Sequence, residues 1–389
     1  MVPDGWSYKQ LGDTSQVIDC KHRTPPYIDD GVPVVSPGSL RWGSLDLASP
    51  KKRVSHDEYQ ALMDHCTVEV GDLVIGRNQS IGIASYVDSD APFVLGQDTV
   101  LIKPTGSNPA FLFYCLQSAG VQRRLFRLAG GSTFSRINLG ELRKLDLLIP
   151  PKSEQKKIAE ILSTWDRAIE AVEKLIENSQ GQKRALAQKL LLGKARLPDF
   201  SKTWHRIELG ALLDYKQPTA HLVESTEYSD KYETPVLTAG KTFILGYTNE
   251  TSGIYQEDLP VIIFDDFTTD SKFVDFPFKA KSSAMKILTA KKGISIKYVF
   301  EAMQLLKFTV GGHQRHWISI FSNLVIPVPE IEEQHAIASI LATADREIEV
   351  FQNKLKCLRQ EKKALMQQLL TGKRRVKVAE QGAAKGAMA

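Results

Sequence analysis

EQKKIAEILSTWDRAIE occupies residues 154–170, and EQHAIASILATADREIE occupies residues 333–349. Laid one over the other, the two stretches keep matching without a gap as far as Gly193-Lys194 on Gly372-Lys373, with 19 of 41 positions identical. Unrelated helices do not converge on that much shared text, so the chain carries an internal repeat. Ile158 falls on Ile337, Asp166 on Asp345 and Leu190 on Leu369. Both copies open after proline (Pro150 and Pro151; Pro329), with acidic residues in the first turn, where the positive end of the helix dipole favours them. Both close on a glycine, Gly193 or Gly372, where a left-handed residue ends a helix.

Between these signals the apolar positions step by four and three. In the first copy they include Ile158, Leu162, Trp165, Ile169, Val172, Ile176, Leu186 and Leu190. In the second they include Ile337, Leu341, Ala344, Ile348, Phe351, Leu355, Leu358, Leu365 and Leu369. Such spacing lays one stripe along each of two helices of about 38 residues, roughly 55 Å long. A lone helix cannot hide that stripe, so the two are expected to pack on each other as an intramolecular coiled coil. A local two-fold axis relating the copies would make the pair antiparallel. Lys183 and Lys362 occupy the same polar slot of the stripe. Both amines are expected to snorkel to solvent, with a register-setting role as the alternative.

The chain has 389 residues, enough for two or three domains, with ordinary apolar (42%) and charged (24%) content. No apolar run reaches the roughly 18 residues of a membrane span, and MVPDGWSYKQ lacks the layout of a signal peptide. The four cysteines, Cys20, Cys66, Cys115 and Cys357, form no CxxC pair and read as reduced thiols in a cytoplasmic protein. A net charge of +5 hints only weakly at a polyanionic partner and suits ordinary solubility equally well.

The segments before the two helices share a frame and little else. WSYKQLG (residues 6–12) parallels WHRIELG (204–210); GGSTFSRIN (130–138) parallels GGHQRHWIS (311–319); LDLLIP parallels NLVIPVP. After the Gly-Gly loop the second segment is two residues shorter than the first. Between these anchors, GDLVIGRNQSIGIASYV (71–87) has no counterpart resembling LTAGKTFILGYTNETSGIY (237–255) or PVIIFDDFTT (260–269). β-branched runs, glycine turns and one or two helices make both segments α/β domains rich in strand. The order is therefore variable domain, helix, variable domain, helix. Two inverted heads on a stiff spacer share the local two-fold symmetry of B-DNA and could read two unlike half-sites about one helical turn apart.

In GDLVIGR, TAGKTFILGYTNE, IIFDDFTT, GGHQRHWIS, IPVPEIEEQ and the paired EQ..IA.IL..D helices, nearly the whole chain resembles the specificity subunit of type I restriction–modification systems. The resemblance implies an α/β (α+β) fold in which two target-recognition domains are joined by two long antiparallel α-helices with pseudo-two-fold symmetry. The divisions are 1–149 (first target-recognition domain), 150–194 (first spacer helix), 195–327 (second domain), 328–375 (second spacer helix) and 376–389 (a disordered tail). It implies a non-catalytic subunit of a cytoplasmic complex. Each domain would read part of a bipartite, asymmetric double-stranded DNA target. The helices would dock two modification subunits that methylate adenine. Restriction subunits, ATP-dependent translocases and endonucleases, would join the same assembly. S-adenosylmethionine, ATP and Mg would belong to those partners, leaving no cofactor or metal in this chain.

Base reading needs paired donors or acceptors on loops that enter the major groove. In the first head the candidates are Arg77, Asn78, Gln79 and Ser80, which follow an apolar strand, together with Ser132, Thr133 and Arg136 in the Gly-Gly loop. Arg123 and Arg127, one turn apart on a helix begun by Asn108-Pro109, suit phosphates. In the second head they are Lys241, Thr242, Asp266, Thr268 and Thr269 (with Asp265 beside them), Lys279, Lys281 and Ser282 (with Ser283), and His313, Gln314 and Arg315. Trp317 is expected in the core beneath its loop.

Rival readings are a stand-alone adenine methyltransferase, a metal nuclease and a coiled-coil scaffold that binds no DNA. NPAF (108–111) brushes against a methyltransferase motif but lacks its second proline and a glycine-rich cofactor loop, and Asn-Pro is an ordinary helix start. Asp265, Asp266 and Asp275 have no Glu-x-Lys companion, and His313 and His316 lack further zinc-type ligands nearby. A scaffold leaves two divergent heads in matching frames unexplained.

Overall fold

The computed structural model describes residues 2–130, 135–238, 242–306, 317 and 320–378. They form two compact units, one of residues up to 172 together with residues from 354 onward, the other of residues 173–353. Neither boundary follows the head-and-helix division read from the sequence, because each long helix contributes one end to each unit.

The helices run over Lys152–Leu191 and Ile331–Leu369, ending on Gly193 and Gly372 with φ of 67° and 68°. In the first unit the start of the first helix (Ile158, Leu162) shares a core with the end of the second (Leu369, Leu370), with Leu365 packed alongside. In the second unit Ala187, Leu190 and Leu191 share a core with Ile337, Ala338 and Leu341, with Leu186 alongside. Rising numbers on one helix meet falling numbers on the other, so the pairing is antiparallel inside each unit. Of the remaining stripe positions, Ile348 is buried and Ile169, Ile176 and Leu355 are half-buried.

The polar slot departs from the snorkelling expected of it. Lys362 ion-pairs with Asp166 and lies over the ring of Tyr114, whose hydroxyl donates to Asp166 at 2.7 Å. Lys183 meets Asp345 at 2.5 Å and Glu301 at 3.0 Å, and Lys297 bridges the same two carboxylates. Each lysine thus finds the repeat's own aspartate on the opposite helix, which fixes the register.

Each head has one plan. In the first, strands Ser15–Asp19, Thr99–Pro104, Leu73–Gly76 and Ala84–Tyr86 lie side by side in that order, all antiparallel. A second sheet holds Arg53–Val54, Val32–Val35 and Val94–Leu95. In the second head Leu213–Lys216, Met285–Ala290, Val261–Asp265 and Ser271–Val274 repeat the first sheet, and Ile244–Thr248, Thr234–Leu237 and Lys279–Ala280 the other. The central strands are buried on both faces and so read as unbroken apolar runs. Leu73 and Ile75 face the helices while Val74 faces the second sheet; Ile262 and Phe264, against Val261 and Ile263, do the same.

A short ribbon ties each head to a long helix: Ser7–Gln10 pairs with Asp146–Ile149, and His205–Glu208 with Val325–Val328. The glycine closing each shared motif allows close approach. A Cβ on Gly12 would stand 3.3 Å from the Arg143 carbonyl, and one on Gly210 3.2 Å from that of Ser322. The two-residue difference after the Gly-Gly loops coincides with a five-residue helix, Leu139–Arg143, in one head and a three-residue turn, Phe321–Asn323, in the other. No helix among the described residues is long and apolar enough to cross a membrane.

The repeated Glu-Gln pair at each helix start has a defined task. Buried Glu154 accepts from Trp6 Nε1 at 3.3 Å and from Arg375 Nε at 2.9 Å and Nη2 at 2.5 Å. Buried Glu333 accepts from Trp204 Nε1 at 3.0 Å and from Arg196 Nε and Nη2, each at 2.8 Å. The Gln155 amide donates to the Pro150 carbonyl and accepts from Asn108 N, both at 2.8 Å. Gln334 bridges Pro329 and Ser295 in the same way. Asn108 and Ser295 are themselves N-caps, so NPAF is a helix start.

Burial pushes the Asp345 carboxyl up, but Lys183 and Lys297 overcome it and hold the group below its ordinary value of 3.8. A carboxyl depressed on folding stabilises above its unfolded pKa and loses that contribution as pH falls through the folded value. Asp345→Asn is expected to cost about 1 kcal/mol at pH 7, discounted for solvent screening. It should also flatten the loss of stability below about pH 4, as read by urea denaturation across that range.

Candidate nucleic-acid interface

The position after the central strand is where the heads diverge most sharply. Gly76 pairs with Thr99 and Asp265 with Met285, so the next residues, Arg77 and Asp266, are equivalent. Both are buried, at 4% and 2% exposure. Arg77 Nη1 reaches Asp19 at 3.1 Å and Nη2 reaches Asp98 at 3.9 Å. Its own N–H donates to the Asp98 carbonyl, and its carbonyl accepts from Ile137 at the end of the Gly-Gly loop. Asp266 accepts from Trp317 N at 2.9 Å and faces buried Lys286 at 3.5 Å. One buried ionic pedestal therefore supports the loop after the central strand in each head, with its charges reversed between them.

Arg77 thus differs from the exposed arginine expected from the sequence: its guanidinium is committed beneath the loop. Above it, Asn78 accepts from Gln79 N at 2.7 Å, and Gln79 is exposed with φ of 54°. Ser80 is half-buried, and its carbonyl would lie 2.7 Å from a Cβ on Gly76, which requires glycine there. Asn78 and Gln79 rim a cleft of about 290 Å³ whose other walls include Thr24, Tyr27, Lys52 and Gln97. Gln97 donates to Thr24 at 3.0 Å and Lys52 lies over the Tyr27 ring. Sequence reading missed these four, since only the fold brings residues 24, 52 and 97 to one rim.

Arg136 is half-exposed and pairs with Asp98 at 2.7 Å. Arg123 and Arg127 are exposed one turn apart, but not on the helix begun by Asn108-Pro109, which ends at Gln117; they lie on a second helix, Ala119–Leu128, which Ser118 caps. Ser132, Thr133, Lys241, His313, Gln314 and Arg315 lie outside the described residues, as does His316.

In the second head Thr242 and Ser282 are exposed, and Lys281 lies half-buried over the Tyr228 ring. Lys279 is buried, ion-paired with Glu250 and donating to the Ser252 carbonyl at 2.9 Å, so its charge supports the fold and does not face a backbone phosphate. The hydrogen bond from Lys279, with backbone donors from Ser225 and Glu224, holds the Glu250 carboxyl below its usual range. The Thr268 hydroxyl donates to Asp265 at 2.7 Å, and Thr269 has φ of 61°. Asp265 and Asp266 are both turned into loop and core contacts. Trp317 is buried beside Phe264, as expected.

Among the described residues Asp19, Cys20 and His22 place metal-type ligand atoms within 4.8 Å of one another. Asp19 is already the counter-ion of Arg77, and burial followed by the neighbouring Asp19 charge pushes the Cys20 thiol up, away from the thiolate a metal takes.

Residues 3–178 and 201–360 match the family described as type I restriction modification DNA specificity domain. A stretch of 128 residues is 56% identical to the type I restriction enzyme EcoR124I/EcoR124II specificity subunit of Escherichia coli, and covers 32% of either chain. The putative type I restriction enzyme MjaX specificity subunit of Methanocaldococcus jannaschii is 25% identical over 407 residues, spanning 97% of this chain and 95% of that one. Among solved structures, the type I restriction–modification S subunit from M. genitalium has the same fold, with a TM-score of 0.65 at 18% identity over 95% of this chain and 96% of its own. Two copies of one frame with unlike loops on their pedestals are what a pair of matched specificity domains requires, and the chain belongs to the type I restriction–modification DNA specificity family.

Proposed function

We propose that this chain is the DNA-reading subunit of a type I restriction–modification complex, in which each head reads one part of a bipartite, asymmetric duplex target. The carrying observation is the contrast between constant frame and changed loop. The glutamate–tryptophan–arginine contact, the glutamine bridge and the lysine–aspartate pair recur in both units, whereas the residue after the central strand is Arg77 in one and Asp266 in the other. Two heads built alike and lettered differently suit a target whose halves differ.

In this reading the outward faces of the long helices dock two modification subunits, and restriction subunits join the same cytoplasmic assembly. Methyl transfer and ATP-driven cleavage belong to those partners, with their S-adenosylmethionine, ATP and Mg. This chain contributes recognition without catalysis of its own. Exposed Gln79, with Asn78 beside it, makes base-edge contacts, and Arg77 holds them in place. Arg123 and Arg127 neutralise backbone phosphates.

Sequencing the methylated sites of a host that expresses the complete system gives both half-sites at once. Exchanging residues 195–327 for the second head of another specificity subunit should change one half-site and leave the other intact. A change in both, or in neither, would refute the two-reader arrangement.

Gln79→Ala should relax discrimination at one base of the first half-site by about 1–3 kcal/mol while leaving thermal stability unchanged. Arg77→Ala should instead destabilise the first head by about 3 kcal/mol, because Asp19 and Asp98 lose their shared cation. Competition binding and differential scanning fluorimetry on the same preparations separate the two outcomes.

A further inference from the structure

The loop after the central strand of the second head ties several of its hydrogen-bonding side chains back to the protein. The Asp265 carboxylate accepts from Phe267 N at 2.9 Å and from the Thr268 hydroxyl at 2.7 Å. The Asp265 carbonyl accepts from Thr269 N at 2.9 Å. The Asp266 carboxylate faces Trp317 N and Lys286 beneath the loop. Three polar side chains, Asp265, Asp266 and Thr268, are thus committed to the protein. Beside exposed Thr268 and Asp270, the loop presents the Phe267 ring, 45% exposed. Phe267 stands one residue past the pedestal, the place that Asn78 holds in the first head.

Every base edge in the major groove carries donors and acceptors, and the apolar group on offer there is the C5 methyl of thymine. A loop whose Asp265, Asp266 and Thr268 side chains are tied back, and which exposes an aromatic ring, suits that methyl. Wedging the ring between bases would cost a few kcal/mol of unstacking per step, whereas a methyl contact leaves the duplex undistorted. We infer that Phe267 is a specificity-determining residue that reads a thymine methyl in the half-site served by the second head. The inference rests on the DNA-reading role proposed above. It implies that the two heads read by different physics, an amide at Gln79 in one and an apolar contact at Phe267 in the other.

The test replaces each thymine of the second half-site, on either strand, by deoxyuridine, which removes the methyl and keeps every Watson–Crick and groove hydrogen bond. Binding is measured with the full chain assembled with its modification subunits. One position should weaken by about three- to fivefold, the loss expected for one buried methyl. Phe267→Ala should bind the thymine duplex correspondingly less tightly and be indifferent to deoxyuridine at that position. Phe267→Leu, which keeps an apolar tip, should retain part of the sensitivity.

A half-site with no thymine, or with no deoxyuridine-sensitive position, overturns the inference. So does sensitivity that survives undiminished in Phe267→Ala. Weakening by Phe267→Ala with no deoxyuridine effect would mark a wedge and overturn it equally. In all of these cases bipartite selection itself is intact. A complex that selects no bipartite site overturns instead the DNA-reading role, and the inference falls with it.

Discussion

A carboxylate buried at the foot of each long helix holds the architecture together. Glu154 and Glu333 are 6% and 2% exposed, and a charge so placed is tolerated only when its hydrogen-bonding capacity is met. Each is met by an indole N–H from the start of a head and a two-pronged guanidinium from beyond a helix end. The indole fixes where the head begins, the guanidinium fixes where the opposite helix ends, and the glutamate lies on the helix between them. Head, helix start and helix end are thus bound at one point in each unit, before any apolar contact is considered. The neighbouring glutamine repeats the logic for the backbone, satisfying a prolyl carbonyl and an N-cap amide that would otherwise be buried without partners.

This explains why the repeat is strongest where it is. Periodicity made the helices legible: a stripe stepping four and three has one structural solution, and prolines and glycines marked its ends to within three residues. The antiparallel pairing followed from symmetry. The lysine slot did not, because a sequence shows one amine in a stripe and not the carboxylate opposite. Asp166 and Asp345 were visible as repeated residues, but only the antiparallel register brings each to a lysine of the other helix. Arg196 and Arg375 were within reach of the same alignment, three residues past the closing glycine.

The heads were less legible, for a physical reason. Their strands show as apolar runs, yet whether a polar residue after a strand faces solvent depends on residues far away in the chain. Arg77 looks like a reader until Asp19 and Asp98 are brought beneath it, and Lys279 looks like a phosphate contact until Glu250 closes on it. The exposed pair Arg123 and Arg127 was readable because helical spacing alone decides which face they share. Gln97 and Lys52 offered no such signal, being ordinary polar residues until the sheets fold.

The reversed polarity of the two pedestals constrains how recognition can be inherited. The cation under one loop finds its counter-ion 58 residues upstream, and the acid under the other faces a lysine on a neighbouring strand. A loop moved alone into the opposite head would arrive over charges of the wrong sign. New specificities are therefore more readily acquired by transplanting a complete head, while the clasped rods that receive it stay the same.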